Sequence, residues 1–377
     1  MSWLAVIVFA VWAIFAVQTV VNLLSVRRLP PADPNRPQDD WPPVSIVIPA
    51  RNEERAIGAS LDAALKLDYP RFEVVVVDDC STDGTAAEIQ ARAHDGRLTP
   101  VSGEPPPPGW LGKPHALAMG ASKARGDWLL FMDADVRLDP RTLRDAVSYV
   151  EQKRLDHLAL FPHFERLGFW EEVLVPFIAQ SGFSYIPSFL ARSPRLRRVA
   201  LGAGAFNFVR RAAYHAVGGH EAIKASVVDD VRLAMELKRA GFRSLLEMGD
   251  HLVRLRMYHG RAEFVRGFTK NMHAVLQSAV SRHWILVGSF LLVGQLPHVL
   301  PFVFAYRGGL WAASLALLLA SRALLQWRLS YPLWPALFHP IQVAVMAEIE
   351  MRSLSMAHGE GVVRWRGREY RRDKTTF

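Results

Sequence analysis

Trp128-Leu129-Leu130-Phe131-Met132-Asp133-Ala134-Asp135 is an apolar run that ends in two carboxylates one residue apart. Read as a buried strand, it delivers both acids to a strand end, where the alternation of side chains turns residues i and i+2 to the same side. Two carboxylates so placed suit one hard divalent cation bridging the phosphates of an activated donor. The competing reading is a pair of solvated acids in a turn before Leu138-Asp139-Pro140. The chain upstream weighs for the first.

Val44-Ser45-Ile46-Val47-Ile48 reads as a buried strand stopped by Pro49, residues 56–67 as a helix, Glu73-Val74-Val75-Val76-Val77 as a second strand and residues 85–93 as a second helix. A short strand at 98–101 and a helix over 115–123 precede the strand at 128–132. Such alternation predicts an α/β fold with parallel strands and right-handed crossovers. Ligands of open α/β sheets sit beyond the carboxyl ends of the strands. Three acidic clusters fall there: Glu53-Glu54, Asp78-Asp79, and Asp133 with Asp135.

Each cluster has a chemical and a plainer reading. In Asp78-Asp79-Cys80-Ser81-Thr82-Asp83-Gly84-Thr85, Thr82 or Asp83 can cap the following helix. Asp78 and Asp79 are then left at the sheet edge for the N–H and O–H donors of a base or ribose. In Pro49-Ala50-Arg51-Asn52-Glu53-Glu54, Arg51 is placed to face phosphate and Glu53 a ribose or base, against acids merely favoured at a helix N-terminus. Gly109-Trp110-Leu111-Gly112-Lys113-Pro114-His115 offers glycine-exposed amides and one ammonium, Lys113, for a diphosphate; its plainer reading is a surface loop. Val228-Asp229-Asp230 opens a further helix. Either acid there is a cap or a general base, and a base gains from the raised pKa of partial burial.

The 377 residues are half hydrophobic, and the ends are the greasier parts. Residues 3–24 are long enough to cross a hydrocarbon core of roughly 30 Å, interrupted only by Gln18, Thr19 and Asn22. Without a basic start or a small-x-small cleavage site, they read as a retained anchor. Residues 284–306 and 310–327 read as two further spans joined by Arg307-Gly308-Gly309, and 332–347, with Pro332, Pro335, Pro340 and His339, as an interfacial or re-entrant segment. Arg27-Arg28, Arg282, Arg322, Arg328 and the basic tail at 364–374 then share one side, the cytoplasm. The net charge of +9 suits an anionic leaflet; no array of basic and stacking aromatic residues points to nucleic acid. Cys80, the only cysteine, agrees with a reducing compartment. Residues 164–190, rich in Phe, Trp, Ile and Tyr and followed by Arg192, Arg195, Arg197 and Arg198, read as a segment at headgroup level or as a lid on the core. Gly202-Ala203-Gly204-Ala205-Phe206-Asn207 supplies small residues where an acceptor can come close.

At these motifs the chain resembles the family 2 glycosyltransferases of the GT-A fold. Residues 44–54 look like that family's opening strand and nucleotide loop, 77–85 like its base-binding turn, and Asp133-Ala134-Asp135 like its metal motif. The resemblance implies an inverting, metal-dependent transfer of one sugar from a nucleotide-diphosphate sugar. It places Asp79, with Asp78, on the base, Asp135 with Asp133 on Mg²⁺ or Mn²⁺, and either Asp230 or its neighbour Asp229 as general base. Pro49, Arg51, Glu53, Lys113 and Arg266 join the donor side, and His251 or His259 is a candidate third metal ligand. Glu263-Phe264-Val265-Arg266-Gly267 stands where processive members carry Gln-x-x-Arg-Trp, so only the arginine of that product-gripping motif is kept. Gly112-Lys113-Pro114-His115-Ala116-Leu117, Arg256-Met257-Tyr258 and Trp365-Arg366-Gly367-Arg368-Glu369-Tyr370 look like the membrane-bound branch that glycosylates lipids, with hopanoid-associated and carotenoid-type bacterial members.

The expectation is therefore an N-terminal anchor at 1–26, a linker at 27–43 and a cytoplasmic GT-A domain at 44–281 with an interfacial segment near 164–198. Two transmembrane helices at 282–331 and an interfacial segment with a basic tail at 332–377 follow. The resemblance sets this multi-pass chain in a bacterial inner membrane, with a hopanoid, carotenoid or sphingolipid-like hydroxyl as acceptor. The alternatives are a processive polysaccharide synthase of the same family and a membrane-tethered binding protein without turnover.

Overall fold

The computed structural model describes residues 2–270, 272, 294–358, 362–365 and 368–371. The span expected at 284–306 and the basic tail thus lie partly outside the described residues. The chain divides into a helical unit of Met1–Ser25, Arg166–Phe189 and Tyr258–Asp373 and an α/β unit of Val26–Glu165, Leu190–Met257 and Lys374–Phe377.

Helix α1 (Trp3–Ser25) precedes the α/β unit, which begins with β1 (Val44–Ala50), α2 (Ile57–Leu65), β2 (Phe72–Asp78) and α3 (Thr85–Gln90). β3 (Leu98–Ser102), α4 (Gly112–Lys123) and β4 (Trp128–Phe131) follow, then β5 (Val136–Leu138), α5 (Thr142–Lys153), β6 (His157–Phe161) and β7 (His163–Phe164). After α6 (Phe169–Gln180) of the helical unit come β8 (Asn207–Arg210), α7 (Arg211–Ala216), α8 (Asp229–Arg239), β9 (Ser244–Met248) and β10 (Val253–Leu255). α9 (Leu296–Phe304), α10 (Gly309–Arg328) and α11 (His339–His358) belong to the helical unit.

Seven strands form one sheet in the order β3-β2-β1-β4-β8-β6-β9, and β5, β10 and β7 form a smaller one. β1 to β4 are parallel, as the alternation predicts. β8, for which the sequence reading gave no strand, is antiparallel to both β4 and β6, so the sheet as a whole is mixed. The reversal matters for position: β4 ends at Phe131 opposite Asn207, the residue at which β8 begins. The carboxyl ends of β1, β2 and β4 and the amino end of β8 therefore share one edge.

Two local findings also depart from the sequence reading. β1 does not stop at Pro49 but runs to Ala50. The Ala50 carbonyl accepts from Asp79 N on the β2 side, so the imide nitrogen of Pro49 faces the β4 side, where β4 has already ended and no ladder donor is missed. The strand at 128–132 stops at Phe131, and Asp133-Ala134-Asp135 forms the turn into β5, with Val136 N donating to Asp133 O at 3.3 Å. Strand alternation consequently does not orient the two acids.

Val47, Leu129, Phe131 and Val209 of the sheet are buried against Leu117 of α4 and Leu233 and Leu237 of α8. α4 comes so near that a Cβ on Gly120 would lie 2.4 Å from Val47 Cγ1, which only glycine avoids.

In the helical unit, the polar residues that interrupt the apolar run of α1 have a common task. Ser181–Tyr185 is a π-helical turn after α6, whose backbone needs outside partners. Gln18 Nε2 donates to Ser184 O at 2.8 Å, and Asn22 Nδ2 donates to Phe183 O and Ile186 O, each at 2.8 Å. Thr19 Oγ1 meets Ser184 Oγ at 2.6 Å, and Phe189 N donates to Asn22 Oδ1 at 2.9 Å. α1 and α10 are the two described helices long and apolar enough to cross a membrane. The segment expected at 332–347 is a 3₁₀ turn, Trp334–Phe338, leading into α11, with Pro340 in the helix's first turn, where its missing N–H costs nothing.

Candidate active site

The loops after β1 and β2 are stitched together. Arg51 Nη1 donates to Asp79 O at 2.5 Å and Cys80 O at 3.0 Å. Asn52 Oδ1 accepts from Thr82 N at 2.8 Å, Glu54 Oε2 from Gly84 N at 2.9 Å, and Glu53 N donates to Thr85 Oγ1 at 2.7 Å. Asn52 and Cys80 hold left-handed backbone, with φ of 52° and 55°. Gly84, not Thr82 or Asp83, holds the N-cap position of α3; Asp83, one residue earlier, accepts from Thr85 N at 3.0 Å in a local turn. Asp78 is not left without a partner as the sequence suggested: its Oδ1 accepts from Ser81 N at 3.1 Å in a turn closed by its own side chain. Asp79 is buried beside it. The guanidinium of Arg51 thus braces one loop on the other, and Pro49 and Glu53 flank the brace.

A second group lines one pocket at the same sheet edge: Lys113, Leu117, Phe131, Met132, Asp133, Gly204, Asn207, Asp229 and Asp230. Lys113 enters from the first turn of α4, and its Nζ lies 2.7 Å from Asp133 Oδ1 and 3.3 Å from Asp229 Oδ1. A Cβ on Gly204 would lie 2.7 Å from Asp133 Oδ2 and 3.4 Å from Lys113 Nζ, so the small residue leaves room for the pair. Gly202 plays the same part for the backbone of Asp230, 2.2 Å from where a Cβ would stand.

Burial works to strip the proton from Lys113, but Asp133, Asp229 and Asp230 outweigh it and hold the ammonium well above its ordinary range. Asp229, with 6% of its side chain exposed, is pushed up to about 6 by burial, against the pull of Lys113. Asp230 remains half-buried one residue on.

Beneath the pocket, His157 of β6 joins three strands. Its Nδ1 accepts from Ser244 Oγ at 2.8 Å and its Nε2–H donates to Asn207 Oδ1, an assignment that follows from the partners. Burial pushes this histidine down to about 4, so it stays neutral and holds the Asn207 amide with Nδ2 toward Asp230 O, 3.5 Å away. His220 is likewise neutral, pushed down to about 3 by burial and then by the Lys113 charge; it accepts at Nδ1 from Tyr214 Oη at 2.9 Å. Neither histidine was legible: His157 acts through partners on two other strands, and His220 through Tyr214, six residues earlier in a turn that no motif marks.

The sequence-derived residues thus fall into groups. Lys113, Asp133, Asp229 and Asp230 meet in one pocket. Pro49, Arg51, Glu53, Asp78 and Asp79 form the adjoining pair of loops. Asp135 lies half-buried in the turn after Asp133 and does not line that pocket. His251 Nδ1 lies 3.5 Å from Asp250 Oδ1, and His259 Nδ1 lies 3.3 Å from Glu263 Oε2. Arg266 is exposed in the helical stretch 260–270 of the helical unit. Among the described residues no three His, Cys, Asp or Glu side chains gather as metal ligands. The donor set at Asp133 and Asp135 nonetheless fits a hard cation, since Mg²⁺ commonly takes one or two carboxylates and completes its shell from substrate phosphates and water.

Residues 45–218 match the profile of Glycosyl transferase family 2. The chain carries a family 2 glycosyltransferase domain. That domain makes the chain a glycosyltransferase that uses a nucleotide sugar, with the α/β GT-A fold and a mixed sheet. The chain is similar to the 4,4'-diaponeurosporenoate glycosyltransferase of Staphylococcus haemolyticus strain JCSC1435, 28% identical over 276 residues that cover 71% of each protein. The protein of that name from Staphylococcus aureus strain USA300 is 26% identical over 345 residues, 87% of this chain and 88% of the other. Among solved structures, the mannosyltransferase PcManGT from Pyrobaculum calidifontis, in complex with GDP-Man and Mn²⁺, shares the fold with a TM-score of 0.51 and 21% identity, covering 93% of this chain and 98% of that one. The family 2 match includes Lys113, Asp133 and Gly204 and ends before Asp229-Asp230, which the α/β unit adds from α8.

Proposed function

We propose that this glycosyltransferase moves one sugar from a nucleotide-diphosphate sugar to a lipid acceptor at a membrane surface, with inversion. The observation that carries the reading is the meeting of Lys113, Asp133, Asp229 and Asp230 in one pocket at the edge where β1, β2 and β4 end. The nucleotide base lies against Asp79 and Asp78, and the diphosphate is directed toward Lys113. Mg²⁺ or Mn²⁺, when bound by Asp133 and Asp135, supplies positive charge to the departing diphosphate. Asp229 anchors Lys113. Asp230, less buried and free of that ion pair, takes the proton of the acceptor hydroxyl, which attacks the anomeric carbon from the face opposite the diphosphate.

Support for a lipid acceptor comes from three sides. α1 and α10 have the length and composition of membrane helices. Leu167 and Phe169, at 73% and 50% exposure, suit insertion at headgroup level, where the sequence placed residues 164–198. The staphylococcal relatives are named for 4,4'-diaponeurosporenoate. On this reading the transferase unit faces the cytoplasm of a bacterium, and hopanoids and carotenoids are the first acceptors to try.

The test uses membranes holding the full chain, radiolabelled nucleotide sugars and lipid products resolved by mass. A single added sugar on one lipid is expected; a ladder of sugars would instead identify a processive synthase. Asp230→Asn should retain donor binding and lose turnover by about 10²–10⁴-fold. Loss confined to Asp229→Asn would place the base one residue earlier. The acid in the relatives' name gives a second reading: a carboxylate acceptor is already ionised, and in that case Asp230→Asn keeps its turnover.

A further inference from the structure

The helical unit holds a buried cation, Arg322, beside two histidines, and the transfer chemistry does not use it. Arg322 lies on α10, a helix otherwise apolar enough to cross a membrane, and is 1% exposed. Its Nη1 donates to His339 Nδ1 at 3.2 Å. That bond leaves the His339 proton on Nε2, which donates to His298 Nδ1 at 3.3 Å. Both rings are then neutral. Tyr185 Oη, 3.4 Å from the same His298 nitrogen, adds a hydroxyl and no charge.

The remaining donors of the guanidinium, Nε and Nη2, are buried and meet no acceptor among the described residues. The stretch 273–293, outside the described residues, contains neither Asp nor Glu. Nε–H and Nη2–H point the same way and make one bidentate edge of the guanidinium, shaped for two oxygens of a single oxyanion. One helical turn on, Gln326 is also 1% exposed, and both its amide atoms lack partners among the described residues. A buried charge without a counter-charge is costly, and in a membrane helix it marks a site of function. The Trp12 ring, 5.2 Å from that of His298, gives the cluster an apolar wall. Arg322 stands about 9 Å, by helical rise, from the α10 end at Arg328, which is the depth of a headgroup boundary.

We infer that Arg322, with Gln326 beside it, binds the oxyanion of a membrane amphiphile: a carboxylate or phosphate carried on a long apolar chain. The inference rests on the membrane reading of α1 and α10, and it goes beyond the transfer reaction.

The full chain, delipidated in an uncharged maltoside detergent, is titrated separately with oleate, phosphatidylglycerol, dioleoylglycerol and inorganic phosphate. Native mass spectrometry counts retained amphiphile, and thermal melting follows stability. Oleate or phosphatidylglycerol is expected to stay bound and raise the melting temperature, and the tighter of the two names the oxyanion. Dioleoylglycerol and inorganic phosphate should do neither. Arg322→Gln should weaken retention by about tenfold or more, the loss of one bidentate charged pair. It should also melt higher than wild type without lipid, because a buried charge that has no counter-charge among the described residues is gone. Arg322→Lys keeps the charge without the fork and should bind at intermediate strength, which preserves the test if Arg322→Gln does not fold. Equal retention by wild type and the folded variants, or equal retention of dioleoylglycerol, overturns the site; binding of inorganic phosphate alone overturns the amphiphile. Carbonate extraction checks the membrane reading separately, and release of the chain would sink that reading while leaving the oxyanion titration readable.

Discussion

Lys113 faces Asp133 and Asp229 from the start of α4, and its replacement separates charge from shape. In Lys113→Met the side-chain length is kept, but Asp133, Asp229 and Asp230 lose the cation that holds them together. Turnover should fall by about 10²–10³-fold, as when one electrostatic stabiliser is removed. Stability should drop by only about 1–2 kcal/mol, since over a third of the lysine side chain is exposed and solvent screens part of the interaction. Initial rates and urea midpoints of the detergent-solubilised chain check the two numbers. An unchanged rate would remove Lys113 from the site. Lys113, Asp133, Asp229 and Asp230 were legible in the sequence because each stands at the visible end of an apolar strand or the start of a helix. The tasks of Arg51 and Asp78 were not, because their partners are backbone groups of neighbouring turns, which no side-chain pattern records.

Among the elements, β6, β8 and β9 meet at His157, and this junction titrates. The ring is neutral in the fold, with its pKa near 4, whereas an unfolded chain protonates it below about 6.5. The unfolded state therefore binds more protons in that window. Stability is full above pH 6.5 and is lost as pH falls toward 4, by up to about 3 kcal/mol for this residue. His157→Gln should flatten the fall by that amount and leave the share of His220; urea midpoints taken across the window measure it. α1 makes a prediction that hydropathy opposes. Asn22→Leu gives a more apolar span yet strips partners from Phe183 O, Ile186 O and Phe189 N, so it should cost about 2 kcal/mol. Thermal melts in detergent decide, and a gain in stability would contradict the role given to Asn22. β1, β2 and β4 were legible from continuous apolar runs flanked by turns, and β3, Leu98–Ser102, only as a short stretch between two helices. β5, β7 and β10 were not, being two or three residues long and too short for any period to show. β8, only four residues long and half polar, gave no sign in sequence of its reversed direction.

For the molecule as a whole, charge at the proposed transfer site is already balanced in part by Lys113, and among the described residues no three-ligand metal cluster helps hold the fold. Chelation with EDTA should therefore abolish sugar transfer while leaving the melting temperature of the donor-free chain in place. Mn²⁺ added together with the nucleotide sugar should raise that temperature, because ligands that bind only the folded state stabilise it. A drop in melting temperature on chelation alone would point to a structural metal.

The order of strands also sets a timetable for synthesis. β8 enters the middle of the sheet from late in the chain, and Asp229-Asp230 arrive later still. A nascent chain halted at residue 218 has already made Lys113 and Asp133, yet it has neither the second carboxylate for the lysine nor the proton acceptor proposed for the acceptor hydroxyl. On the proposed roles, sugar transfer therefore waits until α8 has left the ribosome.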